Sequence, residues 1–446
     1  MRRLPLLAIP AVLAAAAVAV PAGQPAPQPA QVAVQLTVLR HQNVQAFDNQ
    51  KVKQVLDEMG RVLQNSDPPA DVPCNVSFTQ KGNVGIFTGP NVISNQQQFN
   101  AVANLGAPYH IKVVSTIDWC GAYMPSAVAC SPVGIAGTSI VVEEDFFLGD
   151  VRLAGVILAH EYGHNRGLSH RPGALTNLMN PGVGPTSRCV NAAEAQHFLI
   201  QPSPATVEAA PVWAGPGPIP GLPAAAVVVD PLADEKKAEK KVAAAEVQEP
   251  LVPVKDFVHM VHPEGVPYDV ASRYTKEDAK VLLGMLKDPA EKPWWTNIAT
   301  TICFIGDDSA VKELIAFVNG GKQEAKPTRA ELDARKAAVA HLGAIVNKTQ
   351  NAAVQKEAID FLAAVAQGPL TEAAQPGAPA RQLAIAAAEG LAVSGKPEAA
   401  EILKKIEKSE SAGADEVKAA AGQALQAHDA VRKHGLKEYY GQRHRH

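Results

Sequence analysis

Residues 159–181 read AHEYGHNRGLSHRPGALTNLMNP, and this stretch decides how the first half of the chain is interpreted. His160 and His164 are four positions apart, so on one helix both imidazoles lie on the same face and can reach one ion. Gly167 can adopt the left-handed backbone that ends a helix, and the turn brings His170 back as a third nitrogen ligand. Three neutral imidazoles leave one tetrahedral position of a zinc ion for water. The spacing therefore predicts a catalytic metal site.

Glu161 directly follows the first ligand and projects beside the ligand face, where it can act on water without itself binding the metal. The complete pattern is H-E-x-x-H-x-x-G-x-x-H, which resembles the metzincin clan of zinc peptidases. Met179, in Asn-Leu-Met-Asn-Pro nine residues after His170, resembles the Met-turn that this clan places under the zinc. Leu-Met-x-Pro is similar to the matrixin branch, Gly-His-Asn after the glutamate is similar to the adamalysin branch, and Arg171 fits neither. The subfamily stays open.

The resemblance covers residues 31–201 and implies an α/β (α+β) catalytic domain with a mixed sheet and an active-site helix. It also implies a secreted endopeptidase with one catalytic Zn²⁺. The zinc would activate water and polarise the scissile carbonyl, while Glu161 takes the proton of the water and delivers it to the leaving amine. The protein or peptide substrate would lie along an edge strand before the active helix. The candidate residues of that strand are Gly137, Thr138, Ser139, Ile140 and Val141.

Two other functions fit the same residues. The first alternative is an exported binding or scaffold protein with a non-proteolytic zinc domain. The second is a zinc amidase acting on cell-wall peptides. The amidase would use the same ligands and the same base, so the sequence alone does not separate it from a peptidase.

The length and charge of the chain limit the number of domains and the class of protein. The chain has 446 residues, which predicts two or three domains. Lys plus Arg (41) nearly balances Asp plus Glu (44), and this balance gives no sign of a nucleic-acid binder. Residues 1–22 begin with Arg2 and Arg3 and continue with an apolar run that is shorter than the roughly 20 residues needed to span a bilayer. They predict a cleaved signal peptide, a secreted or periplasmic protein and no membrane attachment after cleavage; a retained anchor is the alternative.

Four of the five cysteines lie in the first 200 residues. In an exported domain this even set favours disulfides over thiolate metal sites. Cys120 and Cys130 flank a short loop and form the expected pair, and Cys74 with Cys189 follows by elimination. Cys303 lies in an apolar helical pattern and is expected to be a buried thiol.

The second half of the chain changes character and repeats itself. ICFIGDDSAVKELIAF (302–317) aligns with LAVSGKPEAAEILKKI (391–406), and the segment between them has Asn347 in the position of the glycine. Such repeats resemble HEAT-type helix pairs, which stack into a solenoid that can recruit a substrate or a protein partner; an irregular helical bundle is the alternative. The predicted boundaries are 1–22 for the signal peptide, 23–30 for a spacer, 31–201 for the catalytic domain, 202–250 for a Pro/Ala-rich linker, 251–435 for the helical-repeat domain and 436–446 for a loose tail.

Overall fold

The computed structural model describes residues 32–64, 72–105, 110–132, 140–171, 176–188, 190–199, 251–320, 327–368, 379–409 and 415–441. The predicted signal peptide, spacer and linker lie outside the described residues. Within them, the chain has a mixed α/β region followed by a helical region, as the sequence predicts. No helix in the described part of the chain is both long and apolar enough to cross a membrane.

The N-terminal domain has nine described strands. They are β1 (Val32–Leu36), β2 (Val38–His41), β3 (Val76–Gln80), β4 (Gly85–Phe87), β5 (Val92–Ile93), β6 (Ile111–Val114), β7 (Thr116–Ile117), β8 (Ala129–Cys130) and β9 (Ile140–Glu143). The largest sheet has the order β4-β2-β6-β9-β8, with β8 antiparallel to β9 and the other neighbours parallel. Two further parallel pairs, β1 with β3 and β5 with β7, complete the described strands. β8 is therefore an edge strand of the main sheet.

Five helices accompany these strands: α1 (Asn49–Gln64), α2 (Gln96–Ala103), α3 (Glu144–Leu148), α4 (Val151–Asn165) and α5 (Ala192–Leu199). The side chain of Asp150 caps α4 by accepting hydrogen bonds from the amides of Arg152 and Leu153. Helix α4 is buried along most of its length and packs against α1 and against β8 and β9. This packing fixes the face of α4 that carries His160 and His164.

The C-terminal domain is helical. Its elements are α6 (Val254–Val258), α7 (Tyr268–Ala271), α8 (Lys276–Met285), a 3₁₀ helix (Pro289–Trp294), α9 (Trp295–Ile305), α10 (Ala310–Gly320), α11 (Arg329–Lys348), α12 (Ala352–Ala366), α13 (Pro379–Ser394), α14 (Pro397–Glu407) and α15 (Asp415–Gly441). Helices α9, α11, α13 and α15 pack side by side in chain order, and α10, α12 and α14 pack against them as a second layer. The aligned sequence segments thus correspond to successive helix pairs.

The predicted loose tail needs a correction. Residues 436–441 continue α15 after a break at Gly435, whose φ is +77°. Tyr440 is buried, and its ring stacks on Tyr268 with ring centroids 5.1 Å apart. The aromatic side chain supplies enough apolar surface to hold this segment on the domain. Residues 442–446 lie outside the described residues.

The two domains share one continuous interior. A single cluster of buried apolar side chains contains Met124 and Ile117 of the first domain together with Phe257 and Ile302 of the second. Charged groups cross the same boundary: Lys336 Nζ lies 2.6 Å from Asp118 Oδ1 and is fully buried. The helical domain is therefore packed on the α/β domain, on the side that carries the histidines.

Candidate metal centre

Helix α4 brings two imidazoles together, as the four-residue spacing predicts. The Nε2 atoms of His160 and His164 are 3.0 Å apart, and both rings are buried. His170, from the segment after α4, places its Nε2 atom 3.2 Å from that of His160. The ligand atoms of the three residues all lie within 4.8 Å of one another. The structure thus assembles the three predicted ligands around one point.

Backbone carbonyls fix the protonation of two of these rings. Nδ1 of His160 lies 2.7 Å from the Leu178 carbonyl, and Nδ1 of His164 lies 2.7 Å from the Leu168 carbonyl. A carbonyl oxygen only accepts, so both Nδ1 atoms carry the proton. In a neutral imidazole the Nε2 atom then carries a lone pair, and here both lone pairs are aimed at the common point. This is the backbone support that metal-binding histidines receive in proteins.

The distances also fit a metal ion. Zinc–nitrogen bonds of about 2.0–2.1 Å in a tetrahedron separate the nitrogens by about 3.3 Å. The observed separations from His160 are 3.0 and 3.2 Å. Lone pairs this close repel each other unless a cation lies between them. The donor set therefore fits a small divalent cation.

The turn after α4 has the predicted backbone. α4 ends at Asn165, and Gly167 has a φ of +87°, which only glycine adopts readily. The Gly167 amide donates to the His164 carbonyl, and the Leu168 amide donates to the Gly163 carbonyl. The Leu168 carbonyl is thereby positioned to accept from His164.

Met179 lies directly beneath α4 and is fully buried. A Cβ atom on Gly163 would lie 2.5 Å from the Met179 sulfur, so glycine between the two helical ligands permits this close approach. The amide of Arg171 donates to the Met179 carbonyl over 2.7 Å. The Met179 segment and the third ligand are therefore tied together.

Arg171, which fits neither branch of the clan, has a structural role. Its guanidinium Nε and Nη2 atoms donate to the two carboxylate oxygens of Glu194, over 2.6 and 3.0 Å. Glu194 also accepts from the Asn191 amide at the start of α5. This bidentate ion pair attaches the chain after His170 to α5.

Glu161 lies next to the ligands and is fully buried. Within the described residues, neither of its carboxylate oxygens makes a hydrogen bond of ordinary geometry. Burial and the nearby charge of Glu264 raise the pKa of Glu161 well above its usual value, and the Ser131 hydroxyl opposes the shift. Glu161 is thus a buried carboxyl group that directly follows the first histidine of the cluster on α4.

Sequence reasoning missed Glu264, which belongs to the helical domain. Its side chain is 5% exposed, and its oxygens lie 3.7 Å from His164 Nε2 and 3.6 Å from His170 Nε2. The segment His-Pro-Glu-Gly around it has no metal-binding spacing, so no local pattern pointed to this residue. His262, two positions earlier, is buried against backbone carbonyls, and burial lowers its pKa to about 4. Its ring connects the Pro181 and Phe257 carbonyls.

The predicted substrate strand needs a correction. Ile140 and Val141 lie in β9, which pairs with β6 on one side and β8 on the other, so β9 has no open edge. Gly137, Thr138 and Ser139 lie outside the described residues. The edge strand beside α4 is β8, which comes earlier in the chain. Both strands are short and buried at every position, so only the pairing order separates edge from interior.

Cys120 and Cys130 form a disulfide, and this prediction is confirmed. The bond holds the loop between β7 and β8 closed. Cys74 is buried, and its sulfur lies 3.7 Å from the Ala195 carbonyl. Cys189 lies outside the described residues, so the pairing of these two cysteines stays a prediction. Cys303 is a buried free thiol, as expected from its apolar surroundings.

No protein-family model matches this chain, and no curated protein sequence matches it either.

Proposed function

We propose that this protein is a zinc endopeptidase of the metzincin type, with His160, His164 and His170 as metal ligands and Glu161 as general base. The observation that carries the proposal is the convergence of the three Nε2 atoms, with separations of 3.0 and 3.2 Å from His160. Two of the three rings have their Nδ1 protons fixed by backbone carbonyls, which prepares neutral nitrogen donors.

The chemistry of the donors favours zinc. Neutral imidazoles in a small buried site suit zinc better than magnesium or calcium, which prefer oxygen ligands. When bound, zinc supplies Lewis acidity that activates water and polarises the scissile carbonyl. Glu161 and Glu264 are both buried near the histidines, and the negative charge of their carboxylates complements a divalent cation.

Glu161 would handle the proton. A base works best when its pKa lies near the working pH, and burial raises the pKa of Glu161 in that direction. A bound cation opposes this rise, because positive charge favours the ionised carboxylate. Glu161 accepts a proton from the attacking water and returns it to the leaving amine.

The edge of β8 supports a peptide substrate. An extended peptide can add to an open sheet edge and gain backbone hydrogen bonds there. The amides of Val128 and Ala129 point away from β9 and donate to the Pro263 carbonyl, and a peptide that replaced this segment would use the same two donors. This arrangement selects a backbone rather than a particular side chain, which fits an endopeptidase.

A binding protein with a closed, structural zinc site is the second candidate. The position of Glu264 favours it, because a fourth protein ligand is typical of structural zinc sites. The helical domain would then be the functional part that binds a protein partner. A zinc amidase acting on cell-wall peptides uses the same residues, and only its substrate distinguishes it from an endopeptidase.

Export is part of the proposal. The Cys120–Cys130 disulfide belongs in an oxidising compartment, in agreement with the signal peptide that residues 1–22 predict. We therefore place the protein outside the cytoplasm, secreted or periplasmic.

The test combines metal analysis with cleavage of a peptide library by the full chain, using long incubations. We expect about one zinc per chain in the wild type and in Glu161→Gln, and loss of zinc in His160→Ala. Cleavage should be present in the wild type and fall by at least about a hundredfold in Glu161→Gln.

Glu277→Gln is the matched control, since Glu277 is exposed on the helical domain, and it should cleave like the wild type. Equal cleavage by wild type and Glu161→Gln contradicts the proposed mechanism. Zinc without any cleavage supports the binding protein, and cleavage confined to cell-wall peptides supports the amidase.

A further inference from the structure

Residues 261–266, which we call the strap, run directly over the histidines. The strap connects α6 to α7 and is buried along its whole length. On one side Val261 exchanges two backbone hydrogen bonds with Val183, over 2.7 and 3.1 Å. Val183 follows Met179 closely in the chain and forms the wall opposite β8. The strap therefore lies in the groove between these two walls.

On the other side, the strap occupies the open edge of the main sheet. The Pro263 carbonyl accepts from the amides of Val128 and Ala129, over 2.7 and 2.9 Å. The Val266 amide donates to the Ser126 hydroxyl over 3.2 Å. These are the amides that a peptide substrate needs if it adds to β8. The strap and a substrate cannot use them at the same time.

Glu264 sits between these two sets of contacts and faces the ligands. Its carboxylate oxygens lie 3.6 and 3.7 Å from the Nε2 atoms of His170 and His164. The edge of a zinc coordination tetrahedron is about 3.3 Å long. If the three histidines held a zinc ion, the Glu264 carboxylate would be near enough to serve as a further ligand.

We propose that Glu264 is a fourth protein ligand of the metal centre and that the strap is a built-in inhibitory peptide occupying the substrate groove. The proposal rests on the proposed function, because inhibition has meaning only if the site is catalytic. One six-residue segment takes both the open metal vertex and the edge amides of β8. The protein as folded then cleaves peptides only slowly.

The helical domain holds the strap in place at both ends. Asn297, on α9, donates to the carbonyls of Val258 and Met260, over 3.1 and 2.9 Å. After the strap, Tyr268 packs on Phe304 and Tyr440 within the helical layers. Release of the strap therefore requires a movement of the helical domain or a cut in the strap. The helical domain therefore both covers the histidines and carries the inhibitory strap.

Gly265 shows how closely the strap fits. Its φ is +91°, and a Cβ atom there would overlap the side chain of Met124. Glycine lets the chain turn sharply immediately after Glu264 and return along the wall formed by Met124 and Ser126. The turn aims the carboxylate at the histidines.

The test uses the full chain loaded with Co²⁺, whose visible absorption reports the ligands of the metal, with azide as a small exogenous ligand. Wild-type Co²⁺ protein should show a spectrum that azide does not change, because Glu264 fills the vertex. In Glu264→Gln and Glu264→Ala the spectrum should change, and azide should bind. Peptide cleavage by the zinc forms of both variants should rise at least about tenfold.

Glu277→Gln is again the control and should leave the spectrum and the cleavage rate at wild-type values. The double variant Glu161→Gln/Glu264→Ala should regain the azide response but not the cleavage. Azide binding to the wild type, which needs no variant to fold, overturns the assignment of Glu264 as a ligand while the peptidase proposal stands. A changed spectrum with no Glu161-dependent cleavage in any variant shows the opposite: the ligand is correct and the site is structural.

Discussion

The two domains contribute to the candidate metal centre in different ways. The α/β domain supplies three imidazoles and their supporting carbonyls from one short stretch between α4 and Met179. The helical domain supplies one carboxylate, from a segment with no metal-binding pattern. A ligand set encoded by local spacing can be read from the sequence, whereas a ligand delivered by domain packing cannot.

The domains also differ in how they fill their interiors. Near α4, the core is made of large side chains such as Leu158, Met179 and Phe198. Between α11 and α13, by contrast, it is made mostly of alanine and glycine, and Gly343 contacts the backbone of Gly390. The first interior depends on side-chain volume and the second on close backbone approach. Substitutions that add or remove one group should therefore act differently in the two regions.

The largest effect is expected where the two regions meet. Lys336 is fully buried and forms ion pairs with Asp118 and Asp333, over 2.6 and 2.7 Å. Lys336→Met leaves Asp118 buried without its cation, which should lower the free energy of unfolding by about 3–5 kcal/mol. Thermal and urea unfolding of the full chain measure this loss. Lys280→Met, on the exposed side of α8, is the control and should change stability by less than about 0.5 kcal/mol.

The pH dependence of Lys336→Met sharpens the same prediction. Burial raises the pKa of Asp118, and Lys336 opposes the rise, so removal of the lysine raises that pKa further. A carboxyl group whose pKa is raised in the folded protein destabilises the fold once it is ionised. Its contribution to the free energy of unfolding is therefore fully present below the usual aspartate pKa of about 3.9 and is lost as the pH rises through the raised pKa. The deficit of the variant should therefore be smaller in mildly acidic buffer than at neutral pH. If the loss of stability in Lys336→Met does not change with pH, Asp118 forms an ion pair with another cation in the variant.

A smaller loss is expected inside the helical domain. A Cβ atom on Gly343 would overlap the carbonyl oxygen of Gly390, a backbone atom that cannot rotate away. Gly343→Ala should push α11 and α13 apart and cost about 1–3 kcal/mol, even though alanine is the better helix former. Unfolding of the full chain by urea measures it. A stabilised Gly343→Ala protein would show that the two helices have room to separate.

Much of the fold could be predicted from the sequence because the patterns that determine it are local. Helix α4 starts directly after its cap, Asp150, and ends before Gly167, and both boundaries follow from capping chemistry. The repeated segments around Gly306 and Gly395 marked successive helix pairs, because both glycines adopt a positive φ between helices. The Cys120–Cys130 bond followed from a short loop between strands.

The remainder of the site depends on contacts between distant segments. Ile140 and Val141 were predicted at a sheet edge, but strand order, which their own residues do not encode, places them inside the sheet. Glu264 is an ordinary glutamate in the sequence, and only the packing of the helical domain turns it towards His164 and His170. The three histidines and Glu161 could thus be predicted from the sequence, and Glu264 could not.

The smallest effect is expected at Gly284, on the exposed face of α8, where a Cβ atom would meet nothing within 4 Å. Gly284→Ala should raise the free energy of unfolding by about 0.5–1 kcal/mol, because alanine loses less backbone entropy in a helix. Urea unfolding of the full chain, measured beside Gly343→Ala, checks the sign. The same chemical change then stabilises one helix and destabilises another, and only backbone proximity differs between the two sites. Equal shifts for both variants would contradict the close contact between α11 and α13 and with it the contrast between the two interiors.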